Sequence, residues 1–189
     1  MKRSLKNLLL LGILAELVIF SISYWADTSP EVTFRYAARF SGRLSAFTFL
    51  FVFYLFAKSF PSSVSQNKSF RNGLILFAML HLIHFGFLAT NVYLNEIPLV
   101  PTKLAGGALA YVMIVFAPFV LHKVKPALQL VYFYYVSIVM FVTYLARAKG
   151  DFQGAEPNWF HYMMLLLFIS SSMLFGFWMI QKNRKVSAD

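Results

Sequence analysis

The run GLILFAMLHLIHFGFLATNVYL, residues 73–94, decides the architecture of this chain. It contains no Asp, Glu, Lys or Arg. At ~1.5 Å rise per residue it is long enough to cross the ~30 Å hydrocarbon core of a bilayer as a helix. Backbone polar groups find no water at that depth, so a spanning run has to satisfy them internally. The period-two alternation that marks a barrel strand is missing. Five more runs of the same kind lie outward from this one, at residues 8–25, 40–57, 104–121, 128–145 and 159–180. The expected fold is an all-α integral membrane protein: a six-transmembrane-helix bundle forming one domain over residues 1–189.

Composition agrees with that reading. Of the residues, 59% are hydrophobic and 13% charged, against roughly 25% charged in a soluble domain. The absence of Cys excludes disulfides, thiolate metal sites and thiol catalysis. A net charge of +10 would suggest nucleic acid in a soluble protein. Here the basic residues fall in short clusters between apolar runs, so lipid is the expected partner and nucleic acid is not.

The placement of Lys and Arg sets the orientation. On the side of the N terminus lie Lys2, Arg3, Lys6, Lys58, Lys68, Arg71, Lys123, Lys125, Lys182, Arg184 and Lys185. Opposite them lie Arg35, Arg39, Arg43, Lys103, Arg147 and Lys149, together with Asp27, Glu31, Glu96, Asp151 and Glu156. Both termini are therefore expected in the cytoplasm. Trp25 and Trp159 mark outer boundaries, where indole rings prefer to lie. The first run follows Lys2, Arg3 and Lys6 as in a signal peptide, but Glu16 interrupts it and no small-residue cleavage pattern follows, so a retained helix is expected. The loops are short, the longest being polar and Ser-rich at residues 59–72. Any chemistry is expected inside the bundle or at its rims.

His81 and His84, at i and i+3, share one face of the third helix near mid-membrane. Ionisable groups in hydrocarbon are costly and mark functional sites by default, and neutral imidazole is a common metal and haem ligand. The plainer reading is that they hydrogen-bond between helices. Glu16, near the centre of the first helix and without a cationic partner, is expected to keep its proton. It could act as a proton relay with the His pair, or as a neutral anchor between helices. Ala105, Gly106, Gly107, Ala108 and Ala110 would let the fourth helix approach a neighbour closely, and Pro118 should kink or end it. Tyr132, Tyr134 and Tyr135 form either a quinone headgroup site or an interfacial aromatic belt. No helix centre holds a Lys for a retinal Schiff base, and Walker, Rossmann and His-Glu-x-x-His patterns are missing.

Five segments occur in order: Phe34-Arg35-Tyr36-Ala37-Ala38-Arg39-Phe40-Ser41; Phe70-Arg71-Asn72-Gly73-Leu74 leading to Ala78, His81 and His84; Leu104 to Tyr111; Val131-Tyr132-Phe133-Tyr134-Tyr135; and Tyr144-Leu145-Ala146-Arg147-Ala148. This set, covering Phe34 to Ala148, resembles bacterial ferric-reductase-like transmembrane proteins. The resemblance implies a six-helix, cytochrome-b-like bundle in the bacterial inner membrane. It also implies haem b held between the third and fifth helices, electron transfer to a separate partner protein, and in one branch quinone as the electron source for a periplasmic methionine sulfoxide reductase. His81 or His84 would ligate the iron, and Arg39 and Arg43 would meet the haem propionates. The alternative for the arginines, which repeat from Arg35 at i+4 and i+8, is snorkelling toward headgroups with Asp27 or Glu31 as partners.

One departure bears on the haem. The family's fifth helix opens with a Leu-His pair, and here the pair is Leu128-Gln129. Of the other imidazoles, His161 lies about 10 Å from the depth of His84 at ~1.5 Å rise per residue, and His122 has the mirror-image problem with His81. Met140 lies nearer, and thioether is a known axial ligand, although Met more often only packs. Three readings stay open: His–Met ligation, a single-His haem, and a haem-free descendant serving as a scaffold or assembly subunit.

Overall fold

The computed structural model describes residues 4–60, 67–151 and 156–186, apart from the side chains of 103 and 182–186. Lys2, Arg3 and the loop segment 61–66 lie outside the described residues, as do the side chains of Lys103, Lys182, Arg184 and Lys185. The described chain is helical, without strands: α1 (Leu5–Ala26), α2 (Pro30–Ser59), α3 (Lys68–Leu94), α4 (Pro101–Val120), α5 (Pro126–Lys149) and α6 (Trp159–Val186). Five of these are long and apolar enough to cross a membrane. The apolar stretch of α4, Leu104–Val120, reaches ~26 Å at ~1.5 Å per residue, short of ~30 Å of hydrocarbon.

The first five helices begin before their apolar runs, and α6 begins with its run at Trp159. Hydropathy marks the lipid-crossing part, whereas backbone hydrogen bonding continues until a cap or a proline intervenes. Ser4 accepts from Asn7 N–H and Asn67 from Phe70 N–H, closing the N-termini of α1 and α3. The largest difference is at α2, which starts at Pro30 and runs for 30 residues, or ~45 Å. Before it, the Ser29 N–H and hydroxyl both donate to Asp27 Oδ1 at 2.8 Å. These bonds hold the Asp27 carboxyl below the ordinary carboxylate range. Because the folded value is lowered, the clamp is complete above the ordinary carboxylate pKa and is lost as pH falls through the lowered one.

Two compact units make up the chain, Met1–Gln129 and Leu130–Asp189. In the first, α2 packs against α1 and α3, and α4 rests on α3. Phe49, Phe56, Phe70 and Phe77 are fully buried, with ring pairs Phe49–Phe77 at 5.5 Å and Phe56–Phe70 at 6.1 Å. A Cβ on Gly12 of α1 would lie 2.8 Å from Leu76 Cδ1 of α3, so the absence of a side chain permits that approach. The small residues of α4 divide: Ala110 is buried, and others of the set are not. Ala105 and Ala108 are exposed and nothing lies within 4 Å of a Cβ built on Gly107. Close approach is instead carried by α2, where Ala37, Ala38, Ser41, Ser45 and Ala46 are buried.

Asn95, at the end of α3, donates to the Glu31 carbonyl and accepts from Arg35. Arg35 is thereby tied to α3, and Asp27 accepts from Ser29. In the second unit, the Tyr134 hydroxyl donates to the Ser172 carbonyl at 3.3 Å, and the Ser137 and Ser172 hydroxyls lie 3.3 Å apart. Phe133, Val136, Met164 and Phe168 form its core.

Candidate functional site

The middle of α2 carries Ser41, Gly42 and Ser45 on the face turned to its neighbours. Ser41 Oγ donates to Glu16 Oε1 of α1 at 2.9 Å, with both residues buried. One helical turn on, Ser45 Oγ lies 2.7 Å from His81 Nδ1 of α3, also buried. Between them sits Gly42. A Cβ built there would lie 2.9 Å from His84 Cε1 and 3.3 Å from Nε2, so the His84 imidazole occupies the notch that the glycine leaves. The α3 imidazoles are 5.7 Å apart between centroids, and Tyr111 of α4 stacks on His81 at 4.3 Å. Four helices thus supply one buried polar seam: a carboxyl, two hydroxyls, two imidazoles and a phenol ring.

The Ser45 contact matters chemically. An imidazole donating from Nδ1–H to a hydroxyl oxygen keeps its lone pair on Nε2, the arrangement in which metal-ligating histidines are held. Glu16 differs, because its Oε2 is buried and has no hydrogen-bond partner among the described residues. Glu16 also lines a cleft of about 310 Å³ whose other walls are apolar, among them Ile13, Leu17 and Ile83. Neither His81 nor His84 lines it.

Of the other sequence-predicted residues, Arg39 and Arg43 are half-buried on α2. Each guanidinium lies over a ring three residues earlier, Arg39 over Tyr36 at 5.5 Å and Arg43 over Phe40 at 5.2 Å. Met140 is half-buried on α5, in the second unit. His161, buried in that unit, accepts from the Asn158 N–H at 3.4 Å. Tyr132 is buried, and its hydroxyl has no partner among the described residues. His122 sits in the turn after α4, its Nδ1 likewise without a partner.

Gln129, at the position of the family's ligand, is committed elsewhere. Its Nε2 donates to the Leu121 carbonyl at 2.9 Å and to the Val124 carbonyl at 3.3 Å. It satisfies acceptors that the end of α4 leaves open. Gln129→Ala is expected to cost about 1–3 kcal/mol, the range for stranding buried acceptors. Faster amide exchange around the α4–α5 turn, with α1–α3 unchanged, would be the readout.

A haem can be weighed against this donor set. No cluster of three or more His, Cys, Asp or Glu occurs among the described residues. Haem needs only one or two axial donors, and His81 supplies one with its Nδ1 already fixed. His81 is the side chain that a single-His haem b would use. Sequence reasoning had not singled out Gly42, Ser45 or Tyr111. The signal for Gly42 and Ser45 was present as a cluster of small residues on α2, Ser41, Gly42 and Ser45.

No protein-family model, no curated protein and no solved structure matches this chain.

Proposed function

We propose that this chain is a membrane electron-transfer subunit, resembling the ferric-reductase-like proteins, that holds haem b through His81. The observation that carries the reading is the 2.7 Å contact between Ser45 Oγ and His81 Nδ1 in a buried site; with Nδ1–H as the donor, it leaves the Nε2 lone pair for iron. When bound, the haem would supply a one-electron carrier at membrane depth. The chain's own residues do the rest. Ser45 and the Tyr111 ring fix the plane of His81, and Gly42 gives His84 its seat. Phe49 and Phe77 exclude water from the seam. Arg39 and Arg43 offer guanidinium groups for the propionates, and Ser41 holds the Glu16 carboxyl as a proton-bearing group. In this reading the protein crosses the bacterial inner membrane six times, with both termini cytoplasmic. Since the sequence has no dinucleotide-binding pattern, donor and acceptor are separate: quinone on one side and a partner protein on the other.

Haem titration of the purified protein tests this. Wild type is expected to develop a Soret band, and His81→Ala to weaken binding at least about tenfold, more than His84→Ala does. Equal binding by wild type and His81→Ala, or none by wild type, would refute it.

A second reading is favoured by Gln129, whose amide is spent on the α4–α5 turn. Under it the chain is a haem-free scaffold or assembly subunit, and the His81→Ala, His84→Ala double variant keeps its partner binding. Co-purification with that variant separates the two readings.

A further inference from the structure

Four cations stand at one end of the α3–α4 pair. Lys68 and Arg71 lie in the first turn of α3, and Lys123 and Lys125 follow the end of α4; all four are exposed. The short connection from Leu94 to Pro101 makes the two helices antiparallel. Tyr111 of α4 meets His81 and Phe85 of α3, at 4.3 Å and 4.9 Å between ring centroids. From that contact Arg71 lies ten residues back from His81, and Leu121 ten residues on from Tyr111, ~15 Å along each helix. Both basic pairs therefore stand at one level. Arg71 precedes Phe85 by two heptads, a drift of only ~40° around the helix, so it lies on the side of α3 that meets α4. Lys68, three residues earlier, is its neighbour on that surface. Above this level the same pair of helices is apolar: Leu82, Phe85 and Phe119 are 48%, 49% and 67% exposed.

The first unit supplies no counter-charge there. Residues 32–95 and 97–129 contain no Asp or Glu. Glu16 lies midway along α1, and Asp27, Glu31 and Glu96 lie at the opposite end, where Asn95 donates to the Glu31 carbonyl. We propose that this face binds one anionic phospholipid with two phosphates, of the diphosphatidylglycerol type. Its headgroup rests on Lys68, Arg71, Lys123 and Lys125, and its acyl chains lie along Leu82, Phe85 and Phe119. Basic sites between membrane helices suit such headgroups, and the Arg71 guanidinium can meet a phosphate through two parallel N–H bonds. A zwitterionic lipid carries its own cation and leaves the four side chains uncompensated. A free phosphate makes no use of the apolar strip. The inference rests on the membrane setting and is independent of haem.

The test uses the full chain in detergent micelles, followed by native mass spectrometry. It is titrated with tetraoleoyl diphosphatidylglycerol, dioleoyl phosphatidylglycerol, dioleoyl phosphatidylcholine and inorganic pyrophosphate. One diphosphatidylglycerol is expected to bind saturably, at least about tenfold tighter than phosphatidylcholine, with phosphatidylglycerol between them. Arg71→Gln and Lys123→Gln should each weaken it about fivefold, the effect of one basic side chain at a membrane surface. Lys6→Gln removes the same charge from the start of α1, which packs against α2 and α3, and should leave the affinity unchanged. Equal affinity for diphosphatidylglycerol and phosphatidylcholine would overturn the inference, as would phosphatidylglycerol binding as tightly as the two-phosphate lipid. So would equal losses in Arg71→Gln and Lys6→Gln, which would mean diffuse attraction without a site. Displacement of the lipid by an equal concentration of pyrophosphate would assign the cations to free phosphate and also overturn it. Haem content plays no part in the readout, so failure here leaves the electron-transfer reading untouched.

Discussion

Gly42→Ala is expected to lower the stability of the bundle by about 1–3 kcal/mol, the cost of overpacking a filled site. The added methyl would stand 2.9 Å from His84 Cε1, closer than Cβ contacts occur. What it meets is a ring wedged between two helices, with no flexible chain end to move aside. Relief requires the imidazole to rotate or α2 and α3 to part, and α2 and α3 form the main packing pair of the first unit. The cause can be isolated with a double-mutant cycle. If the clash is with His84, Gly42→Ala and His84→Ala are non-additive, with a coupling of about 0.5–3 kcal/mol. Denaturant unfolding in mixed micelles measures all four corners. Strict additivity would mean that Gly42 matters for some reason other than seating His84.

Ser45→Ala is expected to act on haem affinity more than on the fold. Partners that hold a ligand's second nitrogen typically account for about 10–100-fold in affinity, and Ser45 is the hydrogen-bond partner found for His81 Nδ1. Without haem, the variant strands a buried imidazole nitrogen at a cost of about 1–3 kcal/mol. Ser45→Thr retains the hydroxyl and should recover most of the affinity. That rescue sets an orienting hydrogen bond apart from simple packing, because a packing role would respond to volume and not to the hydroxyl.

The sequence made much of the fold legible, for reasons that particular residues show. Apolar runs announced the helices because hydrocarbon admits few other backbone solutions. Their ends were less legible: Glu31, Arg35 and Arg39 precede the apolar run, yet the helix already includes them from Pro30 onward. The site was half visible. Two imidazoles and a carboxyl in apolar runs stand out by chemistry alone, and the structure places all three on one seam. What orients them was harder to see, because Ser and Gly are unremarkable in a membrane helix and only the pairing of α2 with α3 gives Gly42 and Ser45 their roles. The Ala-Gly-Gly-Ala stretch of α4 is less telling, for the complementary reason. Small residues permit close approach without demanding it, and at Gly107 no neighbour comes near.

In the proposed function His81, anchored by Ser45, ligates an iron porphyrin in the membrane. A reduced-minus-oxidised visible spectrum of the protein, purified in mild detergent from haem-replete cells, tests it most directly. The account predicts a haem b signature with a Soret shift on reduction, lost in His81→Ala while the helical circular dichroism stays unchanged. A featureless difference spectrum from well-folded wild-type protein would contradict it.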